Sequence, residues 1–555
     1  MIGAGLWRSR CGSGRVGSGR YGVTVTDDIT HYDAIEGYCG RLSVVAGDDL
    51  TIHVSCAENV TSYDIEIHRW GATRELVWSA SALDAVHHPT PPDADARGCG
   101  WPAAVTVAVP VEWRSGFHHV TLRAHGAPAE RAVGHAYVVV RSGVRSGVVR
   151  SGVRSGALLV IATNTYNAYN SWGGKSLYTG GREVSFRRPM GRGLIHREPE
   201  DRDDRKARPV RWGEEPDIEG AAYQALRFAR GYPGFMGSTG WYTYERRFVE
   251  WAEAQGIELD YAISSDLDDG SQALEGYELV LGVGHDEYWS QAQRATVEAY
   301  VAGGGTYASC SGNTMFWQVR LEGHADQGDT MVCHKYAAHL DDPVMHDGDP
   351  STTATMTGMW ADPVVGRPET AFLGAGSAWG LYHRFGRAVA RGAGAFTVYR
   401  DDHWLLAGTG LRYGDLLGAT DGVVGYETVG CRLNFDEYQL PIAAGGDGTP
   451  ADIEVVAFSP SSNLAMGEYP ASIAALSDQG DLEFVASRLF GRVDADSLAR
   501  CRHGSAVMVV CRPFGEAGGE VITIGSTDWV FGLAGDPAVA QVMRNVLARP
   551  GQRMR

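Results

Sequence analysis

Four short apolar runs in the middle of this chain each stop abruptly at polar, chemically capable residues. They are Ala157 to Thr163 before Asn164-Thr165-Tyr166, Leu259 to Ser264 before Asp266-Leu267-Asp268, Leu279 to Gly284 before His285-Asp286-Glu287, and Thr306 to Cys310 before Ser311-Gly312-Asn313. Continuous apolar runs bounded by polar residues read as strands buried on both faces, the habit of a parallel sheet covered by helices. In such a sheet ligands bind beyond the carboxyl ends of the strands, so residues that follow successive strands meet in one crevice. The pattern therefore predicts an enzyme with its site on that rim.

The segments between the runs carry helical signals. Tyr244, Phe248, Trp251 and Ala252 share one face at helical spacing, with Gly256 as the stop. Ser290 followed by Gln293 reads as a cap opening a helix that runs to Gly303-Gly304-Gly305. The tail repeats the alternation, with Val521 to Ile524 as a strand, Gly525 to Trp529 as a loaded loop and Pro537 to Arg549 as a closing helix. Residues 157–555 are thus expected to form an α/β domain on a doubly wound, mostly parallel sheet of the flavodoxin or amidotransferase kind. Between about Ala361 and Gly519 the pattern is mixed and yields no trace.

Upstream, period-2 alternation dominates, as in Asp64-Ile65-Glu66-Ile67-His68, Val105 to Val109, His119 to Leu122 and Ala136 to Val140. Short alternating runs separated by turn residues predict an antiparallel β-sandwich over residues 22–140. Residues 141–156 contain four copies of Arg-Ser-Gly with nothing large to pack, which predicts a solvated linker and a domain boundary. Residues 1–21, rich in Arg, Gly and Ser, are expected to be poorly ordered.

Composition narrows the partners. The 555 residues hold 49 Lys plus Arg against 67 Asp plus Glu, a net charge of -18 that repels phosphate backbones and anionic lipid. Nucleic acid and membrane are excluded as expected partners. The first twenty residues hold no apolar core of a secretory signal, so a cytoplasmic location is expected. Nine cysteines without a CxxC pair argue against a disulfide framework and a zinc ribbon.

Three ionisable residues in a row, His285-Asp286-Glu287, would sit at the mouth of a water-poor crevice, where burial raises carboxylate pKa values. A turn capping the next helix is the competing reading. Two tyrosines and three asparagines crowd into Asn164 to Asn170. A phenol loses its proton only near pH 10, but a strongly Lewis-acidic cation can displace it and leave a hard oxygen donor. Aromatic packing with turn-forming asparagines competes with that reading. Asn313 is suited either to donating to a developing oxyanion or to capping its loop. Ala308-Ser309-Cys310-Ser311-Gly312 loosely imitates a nucleophile elbow, with His285 as base, against inert packing of Cys310.

Taken together, these segments resemble the large-subunit catalytic domain of the N,N-dimethylformamidase family. The resemblance runs from about Leu158 to the C-terminus. It rests on Asn164-Thr-Tyr-Asn-Ala-Tyr-Asn-Ser-Trp-Gly-Gly-Lys-Ser-Leu-Tyr178, Ser185-Phe-Arg-Arg-Pro189, Gly284-His-Asp-Glu-Tyr-Trp-Ser290, Gly312-Asn-Thr-Met-Phe-Trp-Gln-Val-Arg320 and Arg367-Pro-Glu369. It implies hydrolysis of a small amide at a mononuclear Fe(III) held by two tyrosines and a glutamate. Carried onto this chain, the metal ligands are Glu287 and Tyr166, with Tyr169 a close rival. The catalytic groups are His285, Asn313 and Glu427, and the substrate side is formed by Asn164, Tyr169, Asp286 and Trp317. The second tyrosine is sought between Phe186 and Ala221, where this chain has none. The resemblance further implies a homo-oligomer with a separate small subunit. From another class, an α/β plus β-sandwich protein that binds ligands without turnover would share much of this sequence.

Overall fold

The computed structural model describes residues 34–142, 156–198, 221–323, 330–388, 393–470 and 480–553. The expected poorly ordered segment 1–21 and nearly all of the Arg-Ser-Gly repeat fall outside the described residues.

Eight strands build two sheets from the N-terminal part. Strands β1 (Ile35–Cys39), β3 (Asp49–Cys56) and β6 (Ala103–Ala108) pair antiparallel in the order β1-β3-β6. Strands β2 (Ser43–Val45), β4 (Ser62–Trp70), β5 (Arg74–Asp84), β7 (Gly116–Ala124) and β8 (Val133–Arg141) form the second, in the order β2-β8-β7-β4-β5. Along β4 burial alternates, with Tyr63, Ile65 and Ile67 inward, as its period-2 pattern requires. Those side chains share one apolar core with Ile35, Leu50 and Ile52 of the facing sheet.

The four apolar runs become β9 (Ala157–Ile161), β11 (Asp260–Ile263), β12 (Leu279–His285) and β14 (Thr306–Gly312), all fully buried. They belong to a central sheet completed by β17 (Gly376–His383), β20 (Tyr426–Gly430), β23 (Glu454–Ser462), β24 (His503–Cys511) and β25 (Val521–Ile524). The order is β11-β9-β12-β14-β25-β24-β23-β17-β20, with short β18 (Phe396–Val398) and β19 (Leu416–Leu417) attached through β23. Strands β11 through β25 are parallel, and every pairing from β24 onward is antiparallel. The expected mostly parallel sheet is therefore corrected to a mixed one, within an α/β fold. A parallel step needs a long crossover, usually helical, whereas β24 reaches β25 through a short turn, so the two must run in opposite directions.

Alternate residues of the parallel strands feed two cores. Leu159, Ile161, Leu281 and Val283 pack on Phe248 and Val249 of helix Glu245–Ala254 and on the apolar cluster reaching Val542 and Val546 of helix Pro537–Arg553. Leu158, Val160, Val280 and Tyr307 pack on Val297 and Val301 of helix Gln291–Ala302 and on Phe372 and Leu373. A smaller sheet of β10 (Glu183–Ser185), β13 (Tyr288–Ser290), β15 (Trp317–Glu322) and β16 (Thr330–Val332), in the order β10-β16-β15-β13, stands over the carboxyl ends of β12 and β14. Strands β21 (Leu433–Phe435) and β22 (Pro441–Ala443) form a separate hairpin.

The N-terminal sheets are fastened to the central one. Phe117 stacks on Trp241 with ring centroids 3.9 Å apart, and Phe117, Tyr137 and Val139 join the central core. The backbone N–H of Tyr261 donates to Ser115 at 3.1 Å. Since β9 pairs with β11 on one side and β12 on the other, the chain reverses its direction of travel across the sheet between β9 and β12, and a crevice opens beyond that point.

Candidate active site

Three of the four loaded loops deliver residues to this crevice. Helix Thr163–Tyr169 follows β9 directly and ends on Tyr169, and the turn after it brings round Tyr178. His285 ends β12, Glu287 follows, and Asn313 leaves β14 in a left-handed conformation at φ 50°. Glu427 arrives on β20 from the antiparallel half. Gly312 makes that approach possible, because a Cβ there would stand 2.0 Å from the Glu427 carbonyl oxygen. The remaining loop, Asp266 to Asp268, faces elsewhere: Asp266 accepts from Ser43 at 2.9 Å and pairs with Arg141 at 3.3 Å, clamping the N-terminal sheet to the edge of the central one.

Glu287 is the hub. Tyr169 donates to its Oε2 at 2.9 Å, Tyr178 reaches both oxygens at 2.8 Å, and the Trp317 indole N–H donates to Oε1 at 2.8 Å. Beside it His285 Nε2 stands 2.7 Å from Glu427 Oε2 and 3.4 Å from Glu287 Oε2, while its Nδ1 donates to the Ser238 carbonyl at 2.7 Å. The Asn313 amide donates to Glu427 at 3.2 Å. Lys335, itself buried, holds its ammonium 3.3 Å above the centre of the Tyr178 ring.

Electrostatics follow from burial. Burial raises Glu287, with the charge of Glu427 adding to the rise and His285 and Lys335 opposing it. Burial alone would lower His285, but the Glu427 carboxylate, with help from Glu287, outweighs it and lifts the imidazole to about 9. Near neutral pH His285 therefore keeps its proton, an imidazolium 2.7 Å from Glu427. Tyr169 and Tyr178 are driven well above 10 by burial and then by the charge of Glu287, so their phenols keep their protons unless a strong Lewis acid displaces them.

Several expectations are corrected here. Tyr166 does not meet Glu287: its ring packs edge-on to Tyr137 at 6.2 Å and its phenol lies beside the buried Glu245, in the core under the sheet. In this seven-residue helix Tyr166 and Tyr169 are three positions apart and only about 60° apart around the axis, so it is packing that parts them: Tyr166 joins the core with Tyr137 and Trp241, and Tyr169 the cluster with Tyr288 and Trp317. Asn164 is buried and spends its amide on the Tyr288 carbonyl at 3.2 Å and on Gln293 at 3.3 Å, which ties the helix to β13 rather than facing a substrate. Asp286 turns back along its own strand, 3.3 Å from where a Gly282 Cβ would lie, and burial pushes it to about 7. Trp317 orients Glu287 instead of offering its face to a ligand. Cys310 lies in the apolar core with its thiol pushed to about 12 by burial, which removes the nucleophile-elbow reading.

Two residues were missed by sequence reasoning. Tyr178 is the second phenol, nine positions after Tyr169 and before the stretch in which it was sought; Gly173 and Gly174, at φ 75° and 146°, turn the chain back to place it. Lys335 carried no local signal, being a single lysine between Cys333-His334 and Tyr336.

Among the described residues no three histidine, cysteine or carboxylate side chains are grouped as a metal site would need. A cation at Glu287 would therefore draw on the phenols. Two phenols and one carboxylate, buried and converging within hydrogen-bond distance, form a set of hard oxygen donors, which suits a ferric ion better than zinc. The residues present fit such an ion.

The model of the family described as N,N-dimethylformamidase beta subunit-like, C-terminal, matches residues 63–543, beginning inside β4 and so well before Leu158. A stretch of 74 residues, 13% of this chain, is 35% identical to the N,N-dimethylformamidase beta subunit of Alcaligenes sp. That stretch spans 10% of the length of the curated relative.

Proposed function

This chain belongs to the N,N-dimethylformamidase beta subunit-like family, and on that premise we propose that it hydrolyses the C–N bond of a small N-substituted amide in the crevice beyond β9 and β12. The observation that carries the reading is the convergence of Tyr169 and Tyr178 on Glu287 beside the His285–Glu427 pair.

In this reading Tyr169, Tyr178 and Glu287 would hold a mononuclear ferric ion, which would supply the Lewis acidity to polarise an amide carbonyl. The chain's own residues do the rest. Trp317 fixes the Glu287 carboxylate, and the Ser238 carbonyl fixes the His285 ring so that the Nε2 proton faces the crevice. Glu427 Oε2 stands 2.7 Å from that nitrogen and sustains its charge, leaving the proton for transfer to the departing amine nitrogen, which must be protonated to leave. Asn313 has its second amide atom, Oδ1, without a partner and orients Glu427 through its Nδ2. Lys335 places a buried positive charge against Tyr178, which favours the phenolate form of that ring. The relative's name, a beta subunit, supports a further proposal that this chain works with a companion subunit of different sequence.

Metal analysis and turnover of formamide and N,N-dimethylformamide test the reading on the full chain. The wild type should contain about one iron per chain and release amine, and Glu287→Ala should lose both. Full turnover by metal-free protein would overturn the iron assignment. A metal-loaded protein inert on every small amide, yet binding one saturably, would replace the hydrolase with a binding protein.

A further inference from the structure

A polar cavity opens between the five-stranded N-terminal sheet and the segments at residues 192–198 and 229–232, and the amide chemistry makes no use of it. Its volume is about 690 Å³, and its wall includes His68, His119, His135 and His196 together with Arg74 and Arg123. The rings of His119, His135 and His196 stand 4.9 to 5.5 Å apart, centroid to centroid.

A triad of imidazoles at such spacing invites a metal, and the hydrogen bonds exclude one. The Arg74 guanidinium stands 3.0 Å from His119 Nδ1, and arginine can only donate. His119 must therefore accept at Nδ1 and carry its proton on Nε2. That Nε2–H donates to His135 Nδ1 at 3.0 Å, which leaves the His135 proton on Nε2. One guanidinium thus fixes two tautomers in series. The lone pairs a cation would need on His119 Nε2 and His135 Nδ1 are both consumed, and the row ends in a polarised N–H donor.

The charge of the wall agrees with that polarity. Among the described residues the wall carries Arg74, Arg123, Arg192, Arg197 and Arg230 beside Glu66 and Glu198, with Arg197 engaged by the Gly193 and Met236 carbonyls. Burial and the neighbouring arginines hold His119 and His135 well below 6.5, so both rings remain neutral donors. His196 and His68 each have an Nδ1 without a partner, so the cavity holds further hydrogen-bonding capacity that the fold leaves unused. A volume of this size suits a small metabolite rather than a lone ion.

We propose that this cavity binds an organic anion, a carboxylate or phosphate ester, through Arg74 and the N–H row of His119 and His135. The site is independent of amide hydrolysis and stands or falls without it. Titration calorimetry on the full chain, with inorganic phosphate and with citrate, distinguishes the two anion classes. At least one should bind saturably to the wild type, and Arg74→Gln should weaken it tenfold or more while amide turnover stays unchanged. His135→Phe, which keeps the ring's bulk and removes its donor, should weaken binding as well and serves if Arg74→Gln fails to fold. No saturable binding of either anion, equal affinity in the folded variants, or stoichiometric zinc uptake lost in His135→Phe would overturn the proposal.

Discussion

Tyr166 and Tyr169 show how a difference of three positions decides a role. Both are buried tyrosines on one helix, yet Tyr169 donates to Glu287 and Tyr166 sits beside Glu245 under the sheet. Tyr178→Phe should lower amide turnover at least about 100-fold, because the carboxylate loses a donor to both oxygens. Tyr166→Phe should leave turnover within a few fold of wild type. Steady-state assays of the two purified variants check the contrast, and equal losses would show that the phenol–carboxylate contact is not what matters. The motif from Asn164 to Tyr178 was legible as a group, but Tyr166 and Tyr169 lie on neighbouring parts of the helix surface, so which phenol reaches Glu287 is set by the tertiary packing around each ring and by the turn at Gly173-Gly174. Neither is written in spacing alone. Cys310 teaches the same point: its flanking small residues suggested an exposed elbow, whereas the pairing of β14 between β12 and β25 buries it.

Among the elements, strands buried on both faces were the most legible, where each stopped abruptly at a run of polar residues. The runs that became β9, β11, β12 and β14 were read directly, as was the helix opened by Ser290, whose side chain accepts from the Gln293 N–H at 2.9 Å. Strands β17 and β20 are as thoroughly buried but have no α-helix between them among the described residues, and β24, reached through helices Asp481–Phe490 and Ala495–Arg502, pairs antiparallel, so neither period-2 alternation nor a regular βαβ succession marked them. Glu427 could therefore be named but not placed. The end of β12 offers a sharp test at this scale. Gly284 has φ 80°, and a Cβ there would stand 2.3 Å from Tyr244 Cβ. Gly284→Ala should cost about 2 to 3 kcal/mol of stability through overpacking and strain, read from chemical denaturation, and should reduce turnover by displacing His285. A variant as stable and as active as wild type would show that the strand end yields more easily than its packing implies.

At the scale of the whole molecule, buried histidines set the response to acid. Burial lowers His118, His196 and His383 to about 4, and His119 and His135 also lie well below 6.5. Their folded pKa values are depressed, so the unfolded chain takes up protons first as the pH falls. The stability they allow is complete above about 6.5 and drains away toward about 4, by up to about 1.4 kcal/mol per pH unit for each histidine. Thermal melts across this window should show Tm falling steeply below about pH 6.5, and a flat profile would contradict the burial of these rings. Alternation in the N-terminal part was readable from sequence, and so was the switch to buried runs after Arg141. The union between the two was not, because Phe117, Tyr137 and Trp241 look like ordinary core residues of separate parts. Stacked 3.9 Å apart, Phe117 and Trp241 make that seam interior rather than surface. A polypeptide begun at Gly156 would bare the indole and its aromatic neighbours to water and should be recovered as aggregate. The gene's natural cutting place, the repeat, is therefore a poor place to cut.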